Sequence, residues 1–136
     1  MNNVRDRWIT QDKYYEPEKG LYGNCQQAAL ASLLGLPLED VPNFMEAEGG
    51  FWSSFWKFVL GRGYAIIELS GPRHFNCHHL AYGPSPRGCG HAVVYRSGQL
   101  VWDPHPSRAG ILEVETCCLI VPQDLAEWRR LSKEPT

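Results

Sequence analysis

The feature that most constrains this chain is a change of period at Gly61–Gly63: apolar residues recur at helical spacing before it and in strand-like runs after it. Upstream, residues 24–35 (NCQQAALASLLG) set Ala29, Leu30, Leu33 and Leu34 as an apolar stripe, with Asn24 as the expected cap and Gly35 as the stop. Pro37 with Glu39 and Asp40 predicts a short second helix through about Met45, and Phe51 to Leu60 predicts a third. Downstream, Tyr64 to Leu69 and His78 to Tyr82 read as strands. His91 to Arg96, the turn Ser97-Gly98 and Gln99 to Asp103 give the strongest hairpin signal in the chain. Ile111 to Val121 predicts a further strand, and Gln123 to Leu131 a short amphipathic helix. Helices followed by strands predict an α+β domain in which a helical part packs on an antiparallel sheet.

With 136 residues the chain can build one real core and is too short for two ordinary domains. The expected organisation is a single domain: an irregular arm over 1–22, a helical part over 24–62, a sheet part over 64–121 and a terminal helix over 123–131. With 13 basic against 15 acidic residues the net charge is −2, which argues against nucleic-acid binding driven by bulk charge. No apolar run is long enough to span a membrane, and the polar start MNNVRDRWITQDKYYEPEK does not read as a signal peptide. A cytoplasmic protein is expected. Five cysteines form an odd set without a secretory signal, so a disulfide framework is not expected.

Cys25 opens the first helix, where the positive end of the helix dipole stabilises a thiolate, the nucleophilic form of cysteine. His91 and Asp103 lie at the open end of the hairpin, six residues before Ser97 and five after Gly98, a near-symmetry that sets them at cross-strand distance within one residue of register. An imidazole within reach of a thiol can take its proton, and a carboxylate behind the imidazole fixes its tautomer.

GNCQQAALASLLGLP resembles the nucleophile helix of papain-like (C39-like) cysteine peptidases, and GHAVVYRSGQLVWDPH resembles their histidine strand, turn and Asp-Pro segment. The likeness covers these two islands, and small proteins of this look occur in bacteria and phages. It implies a papain-like fold, Cys25 as nucleophile, His91 as base and acid, Asp103 as the orienting residue, and hydrolysis of a peptide or amide bond without a cofactor. Deamidation, acyl transfer and a binding or inhibitory module without turnover are the alternatives on such a fold. Peptidases of this kind usually carry a glutamine about six residues before the cysteine to help hold the oxyanion. Here that position is Lys19, and the sole upstream glutamine, Gln11, is distant. Gln26, Gln27 and Asn24 are therefore the candidate oxyanion donors.

Three further residues are substrate-binding candidates: Tyr22 ahead of the cysteine, and Ser85 and Arg87 in the rigid GPSPRG loop ahead of His91. His74, Cys77, His78 and His79 supply ligand types that zinc prefers, but they lie in one short segment where neighbours diverge, so no metal is expected. The expected partner is a peptide or protein substrate, with a protein partner as the other possibility and neither nucleic acid nor membrane.

Overall fold

In the computed structural model, residues 7–132 are described; residues 1–6 of the expected arm and 133–136 of the expected domain lie outside them. The chain is α+β. Three helices, α1 (Cys25–Leu34), α2 (Phe51–Gly61) and α3 (Leu125–Ser132), accompany five strands: β1 (Tyr64–Ser70), β2 (His79–Pro84), β3 (Gly90–Arg96), β4 (Gln99–Trp102) and β5 (Thr116–Pro122). The strands form one sheet in the order β1-β5-β2-β3-β4, every pair antiparallel.

α1 ends on Gly35 in the left-handed conformation, as expected, but it is not amphipathic. Nine of its residues are buried, Gln26, Gln27 and Ser32 among them, because the helix lies between the sheet and the chain segments around it. Its polar residues act as internal ties: Gln27 Nε2 donates to the carbonyls of Leu38 and Val41 at 3.1 and 2.8 Å. Asn24 precedes the helix without capping it by a side-chain bond. Its Oδ1 instead accepts from the backbone of Asp12 and Lys13 at 3.2 and 2.9 Å, which fastens the arm to the helix start.

The expected second helix is two separate 3-10 turns, Leu38–Asp40 and Phe44–Glu46. Pro42 explains the break: it has no N–H, and it holds Val41 before it in extended backbone at φ −114°, ψ 130°. Between the turns and α2, Phe44 packs edge-on against Phe51, Phe55 and Phe58. This aromatic cluster joins Leu30, Leu34, Val59, Tyr64, Leu80 and Val94 in the core.

The strand expected over Ile111 to Val121 begins only at Thr116. The segment before it crosses β2 obliquely, donating single bonds from Leu112 to the Pro84 carbonyl and from Glu115 to that of Tyr82, each 2.8 Å. That crossing requires a glycine beneath it: a Cβ on Gly83 would stand 1.9 Å from the Glu113 carbonyl oxygen. α3 docks through Arg130, whose guanidinium donates to the Leu34 carbonyl at 2.7 Å and pairs with Glu127, itself bonded to the Tyr64 hydroxyl.

The arm runs along the molecule from the end of α1 to the end of β4. Arg7 donates to the carbonyls of Ser32 and Leu33, where a cation complements the helix dipole. Trp102 Nε1 donates to the Ile9 carbonyl at 2.8 Å, and the Gln11 N–H to that of Pro104 at 3.0 Å. Residues 14–23 leave this path as a side loop. It is closed at its base by Asn24 N–H donating to Lys13 O at 3.3 Å and contains the Glu16–Leu21 bridge.

Replacing Gly83 tests the close crossing. Gly83→Ala must push the segment over β2 away and is expected to cost roughly 1–3 kcal/mol, read from urea denaturation midpoints. An unchanged midpoint would mean that the segment yields freely.

Candidate functional site

His91 and Asp103 meet because β4 carries an extra residue. Near the turn, Arg96 faces Gln99 and Tyr95 faces Leu100; beyond a bulge at Val101 the register becomes Val94 opposite Trp102. Without that residue, continuing the first register would set Asp103 opposite Ala92, on the other face of the sheet from His91. With it, Asp103 follows opposite Val93 and shares the face of His91 as its diagonal neighbour.

The side chains are almost wholly buried, 3% and 0% exposed, and His91 Nε2 donates to Asp103 Oδ1 at 2.6 Å. The Asp103 carboxylate accepts two further bonds, from His105 N–H to Oδ1 at 2.9 Å and from Gly110 N–H to Oδ2 at 2.7 Å. Burial alone would raise its pKa, but the bonds from His91, His105 and Gly110 outweigh it and hold the group below its ordinary value. The segment after Asp103 is clamped by Arg108. Its guanidinium donates to the carbonyls of Asp103, Pro104 and His105, reaches Thr10 on the arm at 2.7 Å, and lies 4.1 Å from the Trp102 ring centroid.

Cys25 is a neighbour of the same imidazole, close enough to favour its charged form, and lines the same cleft. Burial would lower the His91 pKa; the bond to Asp103 and the nearby Cys25 more than offset it and raise it to about 9. The ring is thereby biased toward the imidazolium, with the Asp103 carboxylate on Nε2. The three residues expected from the sequence are thus together, although Cys25 and His91 are 66 positions apart in the chain.

Cys25 and His91 line an open cleft of about 860 Å³. Its lining includes the aromatic residues Phe51, Trp52 and Tyr82 and the loop Arg87–Gly90 with His105. Tyr22 and Arg87 are at this surface, Arg87 tied across the lip to Ser107 at 3.2 Å. Ser85 is behind it, 1% exposed, its hydroxyl against Cys89 Sγ at 3.3 Å.

The candidate donors separate. Asn24 is spent on the arm and on Gln27, and Gln27 is spent on the loop after α1. Gln26 does line the cleft, but its Nε2 donates to the Tyr82 hydroxyl at 2.9 Å. Gln11, not among the expected donors, also lines this cleft with Cys25; it is 4% exposed and lies beside Gly23. One of its amide hydrogens is held by the Lys13 carbonyl at 2.8 Å. Because residues 14–23 form a side loop, the path from Gln11 to Cys25 is short. A backbone return at Lys13 and Asn24 was the missing signal.

The histidine-rich segment is dispersed: His79 is buried with Nδ1 on the Cys77 carbonyl at 2.9 Å, His78 stacks edge-on against Trp8, and Cys77 is exposed. Among the described residues no three His, Cys, Asp or Glu side chains group as metal ligands, and no helix is long and apolar enough to cross a membrane. No family model matches the chain, and neither does a curated protein or a solved structure.

Replacing Asp103 by Asn keeps the shape and removes the charge. In Asp103→Asn the His91 pKa is expected to fall from about 9 toward the ordinary 6.5, read from histidine ring resonances in a pH titration. The same pairing favours the folded state at pH values below about 6.5, and that contribution is lost as pH rises through about 9. A midpoint unchanged by the substitution would deny the carboxylate its electrostatic role.

Proposed function

We propose that this chain is a thiol hydrolase of the papain-like kind, with Cys25, His91 and Asp103 as a catalytic triad acting on a peptide or amide bond. The observation that carries the reading is a buried carboxylate at 2.6 Å from an imidazole that lines one cleft with the cysteine at a helix start. A structural cysteine would need neither the imidazole nor the cleft.

In the proposed reaction the Cys25 thiolate attacks the substrate carbonyl carbon, and the carbonyl oxygen takes the negative charge. The backbone N–H of Cys25, in the uncapped first turn of α1, is one donor to that oxygen. The second is the side-chain amide of Gln11, which lines the cleft beside it. This takes the place of the glutamine that papain-like enzymes carry closer to the nucleophile. Collapse of the tetrahedral species breaks the C–N bond as the His91 imidazolium gives its proton to the leaving nitrogen. The acyl group is left as a thioester on Cys25. The neutral imidazole then takes a proton from water, the hydroxide attacks the thioester carbonyl, and the acid product leaves with the thiolate and imidazolium restored. Asp103 remains ionised throughout and holds the ring in place.

Two experiments test this. Iodoacetamide at mildly acidic pH is expected to modify Cys25 first: burial raises the pKa of Cys77 and Cys117 and pushes Cys118 up to about 12, and Cys89, in the same cleft, has its sulfur against the Ser85 hydroxyl and not beside an imidazole. His91→Ala is expected to abolish that selectivity; slow labelling of Cys25 in the unaltered protein would argue against catalysis. Gln11→Ala is expected to lower turnover of a peptide substrate by about a hundred- to a thousandfold with little change in KM. A near-normal rate would return the second donor to Gln26.

A further inference from the structure

His105 lines the cleft with His91, and its hydrogen bonds fix where its own proton sits. The Ser107 N–H, which can only donate, meets His105 Nδ1 at 3.1 Å. The Ser107 hydroxyl lies 2.9 Å from the same nitrogen and accepts from the Arg87 guanidinium at 3.2 Å and the Ala109 N–H at 3.3 Å. Nδ1 is therefore an acceptor, and the neutral ring carries its hydrogen on Nε2. That nitrogen has no partner among the described residues and is open to solvent. The ring is steadied by two edge-on neighbours, with centroids 5.6 Å from Tyr14 and 6.3 Å from His91.

The surroundings keep this ring neutral. Burial lowers its pKa, Arg87 lowers it further, and His91 and Arg108 add to them against the opposing pull of Asp103. Protonation would also set a second N–H against that of Ser107. The charges nearby are unequally spent. The Asp103 carboxylate is engaged by His91, His105 N–H and Gly110 N–H, whereas Arg87 has no carboxylate partner among the described residues. The other carboxylates lining the cleft, Glu68 and Glu115, belong to β1 and the approach to β5, beyond β2 from His91. A fixed N–H donor joined through one hydroxyl to an unpaired guanidinium suits an oxygen anion, and a planar carboxylate best. A histidine serving only the turn would need Nδ1 alone.

We propose that His105, through Nε2–H, and Arg87, through its guanidinium, together hold a carboxylate of the substrate close to the bond under attack. Extended peptide advances about 3.3 Å per residue, so a donor one ring away from His91 reaches a group within about two residues of that bond. Ser107 is the positioning residue that sets the tautomer of His105 and anchors Arg87. The inference rests on the hydrolase reading for the word substrate, but the binding it describes does not need turnover.

The test uses the full chain with Cys25→Ala, so that nothing is consumed. The probes are acetylated alanine tetrapeptides: the free acid, its amide, and amides bearing one aspartate or one asparagine at each position in turn. Binding is followed by calorimetry. A carboxylate is expected to bind about tenfold tighter than its amide counterpart, and to lose that preference in Arg87→Gln and in His105→Phe. A preference for the free acid assigns the carboxylate to a chain end, and one for aspartate assigns it to a side chain. Arg87 is exposed, so the urea midpoint of Arg87→Gln is expected to be unchanged, which keeps the result independent of folding. Nitrogen resonances of the His105 ring are expected to show the hydrogen on Nε2, and a mixture of tautomers in Ser107→Ala. Equal affinity within the acid–amide and aspartate–asparagine pairs, a preference that survives either substitution, or a His105 hydrogen on Nδ1 would overturn the proposal. Iodoacetamide labelling of the unaltered protein separates the two readings. A reactive Cys25 with no carboxylate preference removes this inference alone, and a carboxylate preference with an inert Cys25 removes the hydrolase reading alone.

Discussion

A fully buried carboxylate is tolerable only if its lone pairs are taken, and at Asp103 they are taken by three donors from two parts of the chain. The imidazole of His91 comes from β3, and the N–H groups of His105 and Gly110 come from the segment that follows β4. Removing any one donor would leave charge in an apolar setting, where the penalty for an unpaired group exceeds the net gain of the bond itself. The carboxylate therefore ties strand, loop and imidazole into one arrangement. It folds the 103–110 segment around itself, and Arg108, anchored on three carbonyls of that segment, carries the restraint across to the arm at Thr10.

The arm is the second half of the same construction. Its backbone bonds to Pro104 through Gln11, and its carbonyl at Ile9 receives the Trp102 indole, so the chain on either side of Asp103 is held from outside. At its other end Arg7 and Ile9 are fixed to the last turn of α1, and Asn24 fixes Asp12 and Lys13 to the first. The helix bearing Cys25 and the hairpin bearing His91 are thus referred to each other twice, through the core and through the arm. Such doubled restraint suits a site in which sulfur, imidazole and carboxylate must stay aligned.

Much of this was legible in the residues. The hairpin HAVVYR-SG-QLVWD announced its turn, and the distances of His91 and Asp103 from that turn brought them together to within one residue. That one residue decides the face, and it depends on the Val101 bulge, for which neither a glycine nor a proline gives a local cue. The all-round burial of α1 was hidden for a related reason: Gln26, Gln27 and Ser32 look solvent-facing until Tyr82, Leu38 and Ile9 are brought against them. The second helix failed on a local rule that was available, the proline at position 42. Ile111 to Val121 read as one strand because its apolar content is continuous, while Gly110 and the crossing over Gly83 delay the ladder to Thr116.

Gln11 shows why spacing along a chain is a poor ruler for a site. Counting residues back from Cys25 arrives at Lys19, which is exposed on the side loop and paired with Glu16. Counting along the folded path skips that loop at the Lys13–Asn24 contact and arrives within a few residues at Gln11. A loop that returns to its own starting point leaves the geometry on either side intact, because closing a loop of this length costs little more than closing a shorter one. The proposed reaction calls for an amide in the cleft with the cysteine, and the length of chain between the two is free to vary provided its ends meet. The loop adds something in exchange: its Tyr15 and Tyr22, ring centroids 6.3 Å apart, stand at the cleft together with Tyr14. The excursion that displaces Gln11 in sequence thus extends the surface on which a ligand would lie.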